Sequence, residues 1–148
     1  MKILSNFAAA CIAAITLLSG AASFAQTTPA NDALYQELGG KAGIGKIVED
    51  FLPIVLADAR IKDSFKDTDI ERLAAMLAEQ FCELSGGPCK YSGKDMKSAH
   101  EDMKITNAQF NALAEDLQLA MEKNNIPSRA QNKLIAKLAP MQRTVVTR

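Results

Sequence analysis

The residue in this sequence with the clearest potential for metal chemistry is its one histidine, His100. A neutral imidazole is the commonest protein ligand for a transition metal, so a function based on such a metal would pass through this side chain. A single histidine does not by itself distinguish a metal ligand from a structural residue. The elements around His100 therefore decide its meaning.

Two cysteines, Cys82 and Cys89, lie seven positions apart on either side of the turn residues Gly86, Gly87 and Pro88. A helix end followed by this turn folds one cysteine back towards the other. In an oxidising compartment the pair is expected to form a disulfide, whereas in the cytosol it would consist of free thiols.

The N-terminus has the pattern of a bacterial secretory signal: Lys2, an uncharged apolar stretch over residues 7–18, and small residues up to Ala25. A retained membrane anchor is the alternative, but a bilayer span needs about 20 apolar residues and this run is shorter. We expect a cleaved signal peptide over residues 1–25, a linker over residues 26–32, and export to the periplasm. After cleavage we expect no attachment to the membrane.

The charges exclude one large class of partners. The chain has 17 Lys and Arg against 17 Asp and Glu residues, and cleavage of the signal would remove one lysine and no acidic residue. A domain so close to neutrality, with no basic cluster, lacks the electrostatic footprint of a nucleic-acid-binding protein.

From Ala33 onwards the apolar residues recur at steps of three and four, and no stretch alternates as a strand does. This spacing predicts helices over residues 69–84, 107–123 and 44–56, and a helix that follows Ser128 and bends or restarts near Pro140. It also predicts a short helix over residues 33–38 and another that carries Met96, His100 and Met103. We therefore expect an all-α, antiparallel helical domain.

Helix ends have their own signals in this sequence. Thr68 and Glu71 form a capping-box pattern before the helix over residues 69–84, and Thr106 with Gln109 does the same before the helix over residues 107–123. Pro53 lies inside the helix over residues 44–56, where it removes a backbone donor and is expected to produce a kink.

Several short motifs follow one another in a fixed order: Leu34-Tyr35-Gln36-Glu37-Leu38-Gly39-Gly40, then Phe51 with Val55-Leu56-Ala57-Asp58, then Phe65, Gly86-Gly87-Pro88, Tyr91-x-Gly93 and Met96-x-x-x-His100. This ordered set resembles the group I truncated haemoglobins over residues 33–146. The resemblance implies a truncated globin-like, two-over-two helical sandwich around a non-covalently held haem b. The residues agree with this resemblance, because an imidazole facing a wide apolar pocket is how a protein holds haem iron without covalent attachment.

The resemblance also assigns roles to residues. His100 matches the proximal iron ligand, Phe65 matches a phenylalanine packed against the porphyrin face, and Lys94 lies where the family often has a basic residue near a propionate. Both glycine pairs match hinge glycines that need a positive φ. The other residues expected to contact the cofactor are Phe51, Leu73, Leu77, Phe81, Tyr91, Met96, Met103, Phe110 and Leu117.

The distal side departs from the family pattern. Group I members usually have a tyrosine after the phenylalanine that matches Phe51, and polar groups on the distal helix, to hydrogen-bond bound oxygen. Here these positions are Leu52, Leu73, Met76 and Leu77. Either the pocket is apolar and suited to another ligand, or the donor comes from Gln80 or a water molecule.

Three functions remain open from the sequence. The first is reversible binding of oxygen, carbon monoxide or nitric oxide at an iron held by His100. The second is electron transfer with an unidentified redox partner, in which Met76 is a second axial ligand as in cytochromes. The third is a haem-free helical interaction module. The distal positions contain no acid–base residue, so a ligand-binding protein is favoured over an enzyme.

Overall fold

The structure is a computed structural model that describes residues 32–148, so the expected signal peptide and all but the last residue of the linker lie outside the described residues. Within that range no residue forms a strand, which confirms the all-α prediction for the described part of the chain. The elements are α1 (Ala33–Glu37), α2 (Gly40–Ala57), a 3-10 helix (Lys62–Phe65), α3 (Ile70–Leu84), α4 (Met96–Ala99), α5 (Asn107–Lys123), α6 (Ser128–Leu138), a second 3-10 helix (Ala139–Met141) and α7 (Gln142–Val145).

Helix α2 is the central element, because α3 and α5 both pack along it and α5 also packs against α6. Asp50 pairs with Lys123 at 2.6 Å and Arg60 pairs with Glu115 at 2.5 Å, at opposite ends of the contact, so α2 and α5 run antiparallel. The result agrees with the antiparallel helical domain that the sequence predicts and with the two-over-two arrangement that the resemblance implies. Its core contains Leu38, Ile44, Ile47, Phe51, Val55, Phe81, Leu117, Met121 and Leu134, all buried.

Most helix bounds agree with the apolar spacing, and the caps differ in detail. Thr106 and Gln109 form the predicted capping box, each side chain satisfying a backbone N–H of the other residue. The predicted capping box at Thr68 is wrong: Asp69 caps α3, because its side chain accepts from the backbone N–H of Arg72 at 3.0 Å. An aspartate there also places a negative charge at the positive end of the helix dipole.

Helix α2 is longer than its apolar spacing indicates, since it begins at Gly40 and continues past Pro53 to Ala57. Gly39 precedes it with φ of +84°, a left-handed conformation that glycine adopts without strain. Pro53 and Glu49 are both exposed, so the carbonyl that the proline leaves without a helical donor lies on the solvent side.

At the other end of the chain the helical path is interrupted, as predicted near Pro140. Helix α6 ends at Leu138, the second 3-10 helix contains Pro140, and α7 follows and packs against α4. No helix among the described residues is long and apolar enough to cross a membrane.

Candidate haem site

His100 is the residue that directly follows the four-residue helix α4, and its side chain is half-buried. Its Nδ1 atom lies 2.8 Å from the backbone carbonyl oxygen of Met96, one helical turn earlier. Because a carbonyl oxygen only accepts hydrogen bonds, Nδ1 of the neutral ring carries the proton and donates it. The lone pair of Nε2 is therefore free to bind a metal, and the same hydrogen bond orients the ring.

The donor set distinguishes a haem iron from a free metal ion. Among residues 32–148 no group of three or more His, Cys, Asp or Glu side chains is placed to hold a metal ion. One imidazole is too few protein ligands for a free ion such as zinc, which normally has at least three. Haem needs less from the protein, because the porphyrin supplies four nitrogens and the chain has only to supply an axial ligand.

The residues expected to form the pocket differ in burial. Six of these residues are half-buried, so part of their apolar surface is not covered by other side chains, as is usual for residues that line a pocket. They come from the first 3-10 helix, α3, α4, α5 and the segment before α4. The half-buried members of the predicted set are Phe65, Leu73, Leu77, Tyr91, Met96 and Phe110.

Three predicted pocket residues lie deeper, in the packed core. Phe51 and Phe81 are each 2% exposed, and their ring centroids are 6.4 Å apart at a tilt of 50°. Leu117 is also buried, on α5. These side chains hold α2, α3 and α5 together beneath the half-buried surface.

The predicted short helix that carries Met96, His100 and Met103 is wrong in its extent, because α4 covers only Met96–Ala99 and both His100 and Met103 lie outside it. Helix α4 ends at Ala99, and the residues that follow include Asp102 and Lys104, both with positive φ. The chain turns away there, and the Met103 side chain is 39% exposed. Lys94 is exposed in the segment before α4.

The four distal positions are apolar and not exposed. Leu52 is buried on α2, while Leu73, Met76 and Leu77 follow one another at helical spacing on α3 and are half-buried. Gln80 is the side chain that the sequence offers as a polar alternative. Its amide nitrogen instead lies 3.4 Å from the sulfur of Met96 and 3.8 Å from that of Met141.

The Gln80 amide therefore contacts α4 and the second 3-10 helix. Gln80 also lines a cavity of about 160 Å³ with Tyr91, Met96 and Met141. The proposal that Gln80 supplies the distal donor gains no support from these contacts. Met141 was not predicted as a site residue, because its distance along the sequence hides its contact with α3.

Two glutamates on α3, which the sequence did not indicate as site residues, accept hydrogen bonds from the segment that leads to His100. The Glu83 carboxylate accepts from the backbone N–H of Tyr91 at 3.2 Å, and the Glu79 carboxylate accepts from the backbone N–H and hydroxyl of Ser92 at 2.9 and 2.7 Å. These hydrogen bonds hold the pKa of both carboxyls below the ordinary value for glutamate. Their signal in the sequence is a four-residue spacing, which places both carboxylates on one face of α3.

The same segment approaches α3 at Cys89. The structure brings the sulfurs of Cys82 and Cys89 to bonding distance, with Cα atoms 5.7 Å apart, within the range that a disulfide requires. Gly87 lies between them without a positive φ, so that prediction is wrong for this glycine. Glycine is needed here because there is no room for a side chain: a Cβ would be 2.5 Å from the Tyr35 ring and 2.7 Å from the Cys82 sulfur.

A second cluster of charges lies outside this site, where the end of α2 meets α5. The side chain of Asp116 is 3% exposed, its Oδ2 atom has no hydrogen-bond partner, and Arg60 is 3.8 Å from its Oδ1. Burial raises the pKa of the Asp116 carboxyl, and the negative charge of Asp58 adds to the rise. Hydrogen bonds from Arg60 lower the pKa of Asp58.

Residues 33–147 match the model of the bacterial-like globin family. The chain belongs to this family. The group 1 truncated haemoglobin GlbN of Mycolicibacterium paratuberculosis is 31% identical to this globin over 126 residues, which cover 85% of this chain and 91% of the relative. The group 1 truncated haemoglobin GlbN of Synechocystis sp. is 33% identical over 110 residues, which cover 72% and 86% of the two chains.

Solved structures agree with the sequence relatives. The crystal structure of truncated haemoglobin from Tetrahymena pyriformis in its Fe(III) form matches this globin with a TM-score of 0.75 and 29% identity, over 78% of this chain and 98% of that one. The 2/2 haemoglobin from Synechococcus sp. PCC 7002, which has covalently attached haem, matches with a TM-score of 0.72 and 28% identity over the same shares. The two-over-two globin fold is thereby confirmed, and family membership implies haem binding and the binding of small gaseous ligands.

Proposed function

We propose that this globin holds haem b through His100 and binds a diatomic gas, namely oxygen, carbon monoxide or nitric oxide, reversibly at the iron. The observation that carries the proposal is the hydrogen bond from Nδ1 of His100 to the Met96 carbonyl, at 2.8 Å. It fixes the tautomer in which Nε2 has the free lone pair. Haem, when bound, supplies the iron at which the gas is held.

The surrounding residues bind the cofactor by apolar contact. Phe65, Leu73, Leu77 and Phe110 are half-buried side chains from three elements of the fold, and they exclude water from an apolar ligand. Non-covalent binding is supported by the sequence: it has no Cys-x-x-Cys-His motif, and its one histidine is the proposed iron ligand.

The distal residues set the order of preference among gases. Oxygen held at a haem iron would carry negative charge, and a hydrogen-bond donor to a charged group is worth about 1.5–3 kcal/mol. Leu52, Leu73, Met76 and Leu77 have no such donor, so oxygen is expected to leave roughly ten- to a hundredfold faster than from a pocket with one. Carbon monoxide and nitric oxide bind with less charge separation and lose less. We therefore propose transient gas binding rather than oxygen storage or nitric oxide dioxygenation.

Absorption spectra of the mature protein test this function. The protein reconstituted with haemin is expected to show a Soret band that persists through gel filtration. After reduction, the band is expected to shift with carbon monoxide and to return when the gas is removed. A protein that does not retain haem would refute the gas-binding proposal and leave the haem-free interaction module as the better account.

The second candidate is a redox haem protein in which Met76, together with His100, would supply a ligand to the iron. Its support is the position of Met76, half-buried on α3 between Leu73 and Leu77. A six-coordinate, low-spin ferrous spectrum that becomes five-coordinate in Met76→Leu would establish this ligation and direct the search to a redox partner. A five-coordinate spectrum in the unmodified protein would eliminate it, and Met76 would then only fill the pocket.

We also propose that the protein is exported, that residues 1–25 are removed, and that Cys82 and Cys89 are bridged in the periplasm. The support is the signal-like N-terminus together with the 5.7 Å separation of the two Cα atoms. Intact mass of periplasmic protein tests both points. A chain that begins at Gln26 and lacks two hydrogens agrees with the proposal, whereas a retained N-terminus or two free thiols contradicts it.

A further inference from the structure

The position of His100 depends on the segment over residues 85–95, which joins α3 to α4 and contains no helix or strand. Helix α4 has only four residues, so its own hydrogen bonds cannot fix its place on the protein. Beyond the Gly86-Gly87 turn the segment has three attachments to α3: the Cys82–Cys89 link, the contacts of Tyr91 and Lys90 with the Glu83 carboxylate, and the hydrogen bonds that Ser92 donates to Glu79.

The covalent attachment lies at the upstream end of the segment. Cys82 is in the core and is 2% exposed, which fixes one end of the link to the rigid part of the fold. Glu79 and Glu83 are side chains on the surface of α3, and the hydrogen bond that the Tyr91 backbone N–H donates to Glu83 is 3.2 Å long. Without the link, the hydrogen bonds to two glutamates, the Gln80–Met96 contact and the packing of α4 against α7 would be left to hold the segment and α4.

The two sulfurs differ in access. Cys82 is closed off by the core, whereas Cys89 is half-buried between Pro88 and Lys90, which are both exposed. The Lys90 side chain is 90% exposed and its Nζ atom pairs with the Glu83 carboxylate at 3.2 Å, so no large side chain covers Cys89 from that side. A reductant can therefore reach Cys89 first.

We propose that Cys82 and Cys89 form a thiol–disulfide exchange site, acted on by a dithiol protein, whose redox state sets how firmly the His100 segment and its haem are held. The effect on haem rests on the function proposed above. The effect on the segment does not, because the three attachments are made by the chain itself.

The thiol–disulfide exchange proceeds in two steps. A thiolate of the dithiol attacks the Cys89 sulfur, the Cys82–Cys89 bond breaks, and Cys82 leaves as a thiolate that takes up a proton. The second thiol of the reductant then attacks its partner sulfur in the mixed disulfide, releases Cys89 as a thiol, and leaves the reductant as a disulfide. Two electrons and two protons pass from the reductant to the globin.

The size of the effect follows from the loop that the link closes. The link joins residues seven apart in sequence. By the chain-entropy relation, closing so short a loop reduces the number of conformations of the unlinked segment by a factor of at most about seventy. Since Glu79 and Glu83 remain, we expect haem to leave the reduced protein about five- to twentyfold faster.

The experiment uses the mature full-length chain in its oxidised form, after treatment with dithiothreitol, and as the variants Cys89→Ser and Cys89→Ala. Amide exchange of Tyr91 and Ser92 is measured without haem, and transfer of haem to excess apomyoglobin is measured after reconstitution. We expect native protein to be reduced by dithiothreitol, the two amides to lose protection, and haem transfer to accelerate. Both variants are expected to behave like the reduced protein and to be insensitive to dithiothreitol.

Three results would overturn the proposal. The first is a link that dithiothreitol reduces only in unfolded protein. The second is unchanged exchange of Tyr91 and Ser92 after reduction, and the third is equal haem transfer from oxidised and reduced forms. Failure to bind haem in any form would refute the proposed function instead, and the amide measurements would still test the exchange site.

Discussion

Replacement of Leu52 by tyrosine tests the apolar distal pocket. Leu52 is 7% exposed on α2, so a tyrosine there has its ring in the protein interior, where a hydroxyl can reach an iron-bound ligand that Leu52 faces. A hydrogen bond to the charged outer atom of bound oxygen is worth about 1.5–3 kcal/mol. Leu52→Tyr is therefore expected to slow oxygen dissociation by roughly ten- to a hundredfold.

Leu52→Phe is the matched control, because it introduces the same ring without the hydroxyl. Either ring overpacks a buried position and is expected to cost about 1–3 kcal/mol of unfolding free energy. Thermal melts of the two variants should therefore agree, which separates packing from hydrogen bonding. Stopped-flow displacement of oxygen by carbon monoxide gives the dissociation rates.

The comparison of the two variants decides the outcome. If Leu52 faces the ligand, we expect slow oxygen release in Leu52→Tyr, fast release in Leu52→Phe, and carbon monoxide dissociation that differs little between them. Equal oxygen dissociation rates would show that Leu52 does not face the ligand, and the argument for weak oxygen retention would fail with it.

Three further predictions concern stability and can be checked by thermal melts of the mature protein. Because burial raises the pKa of Asp116, its ionisation opposes folding as pH rises, so Asp116→Asn is expected to raise the Tm at pH 7 and to lose this advantage towards pH 4; an equal shift at both pH values would contradict the reasoning. Gly87→Ala places a Cβ 2.5 Å from the ring of Tyr35 and 2.7 Å from the sulfur of Cys82. It should lower the Tm by roughly 5–10 °C. In Gly45→Ala the added Cβ on α2 has no neighbour within 4 Å, so the free energy of unfolding should instead rise by about 0.5–1 kcal/mol.

Much of the fold follows from local signals in the sequence. The bounds of α5 agree with the prediction because Thr106 and Gln109 satisfy the first backbone donors and apolar residues recur along one face. The cap of α3 was misplaced by one residue, because Thr68 and Asp69 are both good caps and the choice depends on backbone geometry.

The site was harder to predict where it depends on contacts between distant segments. The sequence indicates His100 as the ligand, but its tautomer depends on a carbonyl at Met96 that only the short α4 brings into reach. The hydrogen bonds of Glu79 to Ser92, and of Gln80 to Met141, join residues 13 and 61 positions apart. Helical spacing places such side chains on a face, and it does not say which segment they meet.

The central claim is that His100 binds haem iron through Nε2. Resonance Raman spectra of the reduced, ligand-free protein measure the iron–histidine stretch directly, and His100→Gly with added imidazole is the matched test. We expect a stretch in the unmodified protein, its loss in His100→Gly, and its return when imidazole is added. An unchanged stretch in His100→Gly without imidazole, or haem binding that is indifferent to the substitution, would contradict it.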